Sequence, residues 1–268
     1  MLEARWAEGK FLCIGLDVDA TKLPESIRGS TIERTIVAFN RAIIDATKDL
    51  VCSYKPNIAF YESHGDQGMA ALRETMAYII EINPEIPVIL DAKRGDIGNT
   101  NVQYALSAFE YLRADAITVH PYLGKESLLP FFEYVDKGVI VLSHTSNPGA
   151  AEVQELIVEG QPLYQKIAHL VSHEWNGNEN CCVMVGATYP QQLKEVRAIV
   201  GDMPILVAGV GAQNGDLEKT VKYGLDSRKK GLMVNASRTI IFASREKDFA
   251  DAARARAQEL HDAITKAV

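Results

Sequence analysis

Apolar residues in this chain gather into short, nearly unbroken runs, separated by segments of helical period. The runs are Phe11–Asp17, Val51–Lys55, Pro87–Lys93, Ala116–His120, Gly138–Ser143, Cys182–Gly186, Pro204–Gly209 and Gly231–Asn235. Most are continuously apolar rather than alternating, which marks strands buried on both faces and hence a parallel sheet. Between them, Thr31–Asp49 spaces Ile32, Ile36, Phe39 and Ile43 at three and four residues, the stripe of a helix with one buried face. Gln67–Ile82, Thr100–Leu112, Leu163–His173, Tyr189–Val200, Leu217–Lys222 and Phe249–Lys266 read the same way. Repeated strand–helix alternation predicts an α/β fold, a single (β/α)8 TIM barrel spanning residues 1–268. The rival is an open doubly wound sheet, but no G-x-G-x-x-G turn follows the first strand. No Pro/Ser-rich tract, charge block or low-complexity run marks a linker. Ser146–Gln161 is irregular and is a candidate lid, and Asn176–Asn180 reads as a plain surface turn.

Polar residues fall where the predicted strands end. Asp17 closes the first and Lys55 the second; Asp91 and Lys93 close the third, and His120 the fourth. Ser143 and Ser146 lie at the fifth, Thr188 after the sixth, Gly209–Gln213 after the seventh and Ser237–Arg238 after the eighth. In a barrel these ends share one face, the face that carries barrel active sites. The run DAKRGDIGNT, residues 91–100, is the densest of these ends. Asp91 and Lys93 are two apart, so on a regular strand they point to the same side. A lone D-x-K would be a solvated strand end, but here Lys55 ends the neighbouring strand, and alternating Lys and Asp give each charge a fixed partner. After the seventh strand, GVGAQNGD offers backbone N–H groups that can approach an anion, and Arg238 supplies a planar fork in the matching place after the eighth. Together they predict a phosphate monoester site. His120 and His144 lack a second ligand at metal spacing and read as packing residues; His64, His169, His173 and His261 read as loop or helix-surface residues.

Composition narrows the partners. The 268 residues carry 28 Lys+Arg against 35 Asp+Glu, a net charge of −7, which argues against nucleic-acid or membrane-surface binding. With 47% hydrophobic residues the chain has enough apolar content to fold. No run approaches the ~18 apolar residues of a membrane span, and MLEARWAEGK contains no secretory h-region. Cys13, Cys52, Cys181 and Cys182 form no C-x-x-C pair and sit in or beside apolar runs, so buried thiols in a reducing, cytoplasmic setting are expected.

These residues resemble the orotidine 5′-phosphate decarboxylase family. DAKRGDIGNT is similar to its D-x-K-x-x-D-I/T signature. LCIGLD (12–17), YKPNIAFYE (54–62), ADAITVHPYLG (114–124), HTSNPGA (144–150), GATYPQQL (186–193) and VAGVGAQNGD (207–216) extend the likeness along nearly the whole chain, toward the longer bacterial and archaeal-type subgroup. Val18, where many members carry Pro, and His120, where Asn is common, depart from it. The resemblance implies a homodimeric lyase that needs no cofactor or metal and turns orotidine 5′-phosphate into UMP and carbon dioxide, the last step of de novo UMP synthesis. It implies Lys93 as proton donor to pyrimidine C6 and Asp91 beside the departing carboxylate. Lys55 and Asp17 would meet ribose hydroxyls, Ser146 the pyrimidine, and Gln213 and Arg238 the phosphate, with Ser237 beside them. Asp96, Ile97 and Thr100 would reach the other subunit's site. Similar barrels act on 3-keto-gulonate 6-phosphate or join formaldehyde to a pentose phosphate. They use Mg²⁺ and an acidic residue where this chain has Lys55, which would repel the metal. A non-catalytic nucleotide-binding barrel is the remaining alternative, and a broken charge array would be its sign.

Overall fold

The computed structural model describes residues 1–210 and 216–268. The barrel opens with β1 (Leu12–Gly15), β2 (Val51–Lys55), β3 (Ile89–Arg94), β4 (Ala116–Val119) and β5 (Gly138–His144). A small antiparallel hairpin follows, β6 (Ile157–Val158) with β7 (Gln161–Pro162). Then come β8 (Cys181–Gly186), β9 (Ile205–Ala208) and β10 (Leu232–Ala236). The eight long strands are parallel and hydrogen-bonded in the order β2-β1-β10-β9-β8-β5-β4-β3. Parallel bridges Tyr54↔Val88 and Asn57↔Asp91 bring β3 back to β2 and close the ring. This is the expected TIM barrel, and each predicted apolar run supplies one strand. The strands are buried on both faces because side chains fill the barrel inside while helices cover it outside.

The helical stripes pack as their spacing predicts. The helix Ile32–Thr47 starts at Thr31, whose side chain accepts the Arg34 N–H at 3.2 Å, and it buries Ile36, Phe39 and Ile43. Phe39 stacks on Phe242 and on Phe249 of the C-terminal helix Phe249–Ala267. Two predicted helices change pitch: Gly98–Ala105 continues as a π-helix over Leu106–Tyr111, and Leu163–His169 over Leu170–Trp175.

Three features depart from the pattern reading. The N-terminal helix Leu2–Ala7 was hidden by its mixed charge. Its Arg5 is buried because the guanidinium donates to the carbonyls of Val51 and Lys48, and Trp6 Nε1 donates to the Leu232 carbonyl at 2.8 Å. The helix Gly124–Phe132 contains Pro130, which reads as a breaker but sits in the last turn. Asn176–Asn180 is no plain surface turn. Asn180 Nδ2 donates to the carbonyls of Phe132, Tyr134 and Lys137, and Asn176 Oδ1 accepts the Cys181 N–H, so the segment ties the end of one helix to the start of β8.

The Ser146–Gln161 segment is only partly irregular. It contains a 3-10 turn, Pro148–Glu152, and the start of the small hairpin. Gln154 is bonded to Thr145 through its side chain, and Glu155 Oε1 meets His144 Nε2 at 3.1 Å, so the middle of the segment is pinned to the end of β5. Its beginning rests on β8: a Cβ on Gly186 would lie 2.6 Å from the backbone N and Cα of Ser146. Gly186→Ala must therefore displace backbone. We expect a loss of about 1–3 kcal/mol of stability, typical of overpacking, read as a lower urea midpoint at unchanged slope.

Candidate active site

The strand C-termini surround a cavity of about 460 Å³, within the range of small-molecule sites. It gathers residues from seven of the eight barrel strands or the loops after them, β4 being the exception. Seven of the predicted site residues line it: Asp17, Lys55, Asp91, Lys93, Ser146, Ser237 and Arg238. Gln213 lies outside the described residues.

At the floor, Asp91 is clamped between two ammonium groups. Lys55 Nζ lies 2.7 Å from Oδ2, and Lys93 Nζ lies 2.5 Å from Oδ1. Asn57 Nδ2 also donates to Oδ2 at 3.2 Å, and Thr118 Oγ1 donates to Oδ1 at 3.0 Å. Four donors thus occupy a carboxylate that offers about four acceptor directions. Burial alone would push the Asp91 carboxyl up, but the Lys55 and Lys93 charges hold it well below the ordinary carboxylate range. Burial likewise opposes the charge on Lys55; the Asp91 and Asp17 carboxylates outweigh it and raise its pKa. The two lysines are not equivalent. Lys55 has a side chain 4% exposed and is locked in the floor, whereas the Lys93 side chain is 40% exposed.

Lys93 does not arrive there on a regular strand. Its φ is +48°, in the left-handed region that costs a non-glycine residue energy. The β3–β4 pairing slips between Leu90 and Arg94. The expectation that Asp91 and Lys93 face the same side holds, but a kinked backbone rather than strand alternation brings their side chains together.

Toward one wall, Asp17 is half-buried, and its Oδ1 has no hydrogen-bond partner among the described residues. Asp17 lines the cavity, and its charge helps to raise the pKa of Lys55. Ser237 packs where β1 has Gly15: a Cβ there would come within 1.8 Å of Ser237 Oγ. Arg238 follows it at the start of a short helix, Arg238–Ile241, and Gly209, at φ +97°, lines the same end. The opposite wall holds Ser146, whose carbonyl accepts from Thr188 Oγ1 at 3.3 Å, with Leu142 and Met184 as apolar surface.

Asp96, Ile97 and Thr100 do not line this cavity. They lie at the start of the helix Gly98–Ala105, with Asp96 and Ile97 exposed. Asp96 is nevertheless firmly placed: its N–H donates to Asn101 Oδ1 at 2.9 Å, and Asn101 Nδ2 returns a bond to its carbonyl and one to that of Ser127. Ser143 turns away, its hydroxyl donating to the Tyr164 carbonyl at 2.9 Å. The His120 ring packs on Gly95, and His144 is buried edge-on to Tyr164 and Tyr189, the packing roles expected of both. Thr118, Asn57, Asn235, Thr145 and Asn147 are polar residues in or beside the site that the sequence reading passed over. Asn57 stands two residues after Lys55, so its nearness was the available signal. Asn235 ends the last apolar run, and its Nδ2 donates to the Cys13 carbonyl at 3.1 Å. Among the described residues, no three His, Cys, Asp or Glu side chains group as metal ligands, and no helix is long and apolar enough to cross a membrane.

Comparison with known proteins agrees with this geometry. Residues 10–254 match the profile of the orotidine 5′-phosphate decarboxylase / HUMPS family. The chain is 49% identical over 267 residues to the orotidine 5′-phosphate decarboxylase of Cellvibrio japonicus, covering 99% of this chain and 97% of that protein. The solved OMP decarboxylase of Leishmania donovani superposes with a TM-score of 0.84 at 37% identity, covering 100% of this chain and 98% of that one. The UMP synthase of the same organism matches with a TM-score of 0.85 at 39% identity; 98% of this chain is covered, but only 55% of that longer one. With its strand-end charge array and this agreement along almost its full length, the chain belongs to the orotidine 5′-phosphate decarboxylase family.

Proposed function

We propose that the chain decarboxylates orotidine 5′-phosphate to UMP and carbon dioxide by charge stabilisation of a C6 carbanion, with Lys93 as the proton donor. The observation that carries the mechanism is the clamped Asp91, which fixes one ammonium in the floor and holds another facing the cavity. Losing carbon dioxide from C6 leaves an electron pair in the plane of the ring, where the ring carbonyls cannot delocalise it. Stabilisation must come from fixed charge outside the ring. A preorganised ammonium supplies it without reorganising water, and then delivers the proton. Asp91 pairs with that ammonium and aims it. Lys55 keeps Asp91 ionised.

The remaining roles follow the shape of the cavity. Asp17 and Lys55, both lining the cavity, suit the ribose hydroxyls, and Ser146 suits the pyrimidine edge. Arg238 suits the phosphate at the far end, with Ser237 beside it and Gln213 as the further proposed contact. Phosphate binding remote from C6 offsets the cost of ordering the site. Lys55 also bears on the alternative chemistry: a buried ammonium bonded to Asp91 stands where a Mg²⁺-dependent barrel needs an acidic ligand.

The site is proposed to be completed by a second copy. Asp96 and Ile97 are exposed and Thr100 is half-buried, and Ile97, Val102, Leu106, Tyr122 and Leu123 expose apolar surface, Ile97 at 61% and Tyr122 at 84%. These residues sit on the Gly98–Ala105 helix, its continuation and the loop before Gly124–Phe132, one face that suits a symmetric dimer. A homodimer would carry each Asp96 into its partner's charge array. A cytoplasmic setting is supported by four buried, free cysteines.

Turnover is tested by the fall in orotidine 5′-phosphate absorbance. Equal rates with and without EDTA are expected, and activity lost to the chelator favours the metal-dependent chemistry. Lys93→Ala should lose at least about 10³-fold in kcat while retaining UMP binding by calorimetry; near-normal turnover refutes the donor role. Lys93→Ala mixed with Asp96→Asn should recover about a quarter of wild-type activity after subunit exchange. Half of the dimers are then mixed, and each holds one intact site of two. Silence after proven exchange counts against a shared site.

A further inference from the structure

We infer that Thr118 is a positioning residue for the decarboxylation, acting by holding Lys93 in its left-handed conformation and Asp91 in its orientation. The inference rests on the reading of Lys93 as proton donor and adds to it a residue that does not line the cavity. It starts from the slipped pairing. Leu90 pairs with Ile117 and Arg94 with Val119, so three residues of β3 stand opposite one residue of β4. Such a bulge strands backbone donors, and a buried N–H without a partner is costly.

Each N–H of the three bulged residues has a partner. The Asp91 N–H donates to the Pro56 carbonyl at 3.0 Å, and the Asp91 carbonyl accepts from the Ile58 N–H at 3.2 Å, so Asp91 spends its backbone on the β2 side. The stranded donors on the β4 side are the N–H groups of Ala92 and Lys93. Both point at Thr118 Oγ1, each at 3.0 Å. The same oxygen lies 3.0 Å from Asp91 Oδ1. Two amides can only donate, so both lone pairs of the hydroxyl are used. Its proton must then go to the carboxylate. Thr118 is fully buried. One hydroxyl thus pays out three bonds and ties the backbone of the proposed proton donor to the side chain that aims it.

This makes a prediction that a merely structural threonine would not. The ribose and phosphate contacts proposed above are Asp17, Lys55, Gln213, Ser237 and Arg238, and the three bonds of the Thr118 hydroxyl go to Ala92, Lys93 and Asp91 instead. Its loss should therefore slow chemistry and spare binding. Thr118→Val preserves shape and removes both functions of the hydroxyl. A misplacement of about 1 Å at a reacting group is worth roughly 10²-fold in rate, so kcat should fall by about that factor while UMP affinity stays within about threefold. Thr118→Ser keeps the oxygen and should recover kcat to within about fivefold of wild type. Thr118→Cys, with a poor donor and acceptor in nearly the same volume, serves if the valine variant fails to fold, and should also lose kcat with UMP binding intact. Any of three results overturns the inference: a folded valine or cysteine variant with kcat within threefold of wild type, parallel loss of kcat and UMP affinity, or a serine variant as slow as valine. An inactive wild-type chain overturns the activity reading and this inference with it; an active wild type with an unimpaired valine variant overturns the inference alone.

Discussion

Everything at the top of this barrel depends on keeping one carboxylate ionised in a buried place. Asp91 is 4% exposed, and the flanking Lys55 and Lys93 charges hold its pKa low against the effect of burial. The arrangement is costly to assemble, since each ion gives up its hydration, and it is intolerant of partial removal. Breaking a buried pair from one side typically costs about 3–5 kcal/mol because it leaves a charge uncompensated. That intolerance explains the investment around it. Asn57 and Thr118 fill the remaining acceptor directions, and a backbone in an unfavourable conformation is accepted at Lys93. The asymmetry between the lysines follows from the same constraint: one must be buried to anchor the carboxylate, and the other must stay open to meet a substrate.

A barrel suits this task because its sheet offers adjacent strand ends at a fixed spacing. Lys55, Asp91 and Thr118 come from three consecutive strands, β2, β3 and β4, and their side chains meet at hydrogen-bond distance. Bulk energetics are handled elsewhere: the stacked Phe39, Phe242 and Phe249 and the Arg5 and Trp6 contacts lie with the outer helices and the N-terminal helix. The charged floor can then be strained without threatening the fold, because strain at a functional site persists when surrounding packing over-determines it.

What could be read from the sequence divides along the same line. Strands buried on both faces announce themselves as continuous apolar runs, so the barrel and the positions of Lys55, Asp91, Lys93 and Arg238 at strand ends were legible. The kink was not. DAKR carries no Gly or Pro at the turning point, and the unfavourable φ falls on Lys93 itself, where only the opposing strand could reveal it. Thr118 was invisible for a related reason. In AITVH it reads as a β-branched strand residue, and its value lies in three partners from a strand that pairs with it out of register. Arg5 and Asn180 were missed because a buried polar side chain looks like a surface one until its carbonyl partners are known.

Asp96 shows the limit in the other direction. Its motif spacing singled it out and the resemblance assigned it to the other subunit's site; in the single chain it is exposed and does not line the cavity. Its backbone is nevertheless fixed by Asn101, a fully buried side chain that also reaches the Ser127 carbonyl on the next helix. A surface carboxylate with no further task would not need a buried asparagine to hold its main chain on both sides. An exposed acid on a rigid mount, bordered by exposed Ile97 and Tyr122, is the geometry of a group presented outward. The charge array within one chain contains Lys55, Lys93, Asp91 and Asp17, which balance before a substrate arrives. On the proposed reading, a dianionic phosphate meets Arg238 at the far end, whereas a carbanion at C6 has the Lys93 ammonium beside it. In the proposed dimer, a carboxylate presented by a partner would give that ammonium a second anionic neighbour beside Asp91, so that its position is set from both chains.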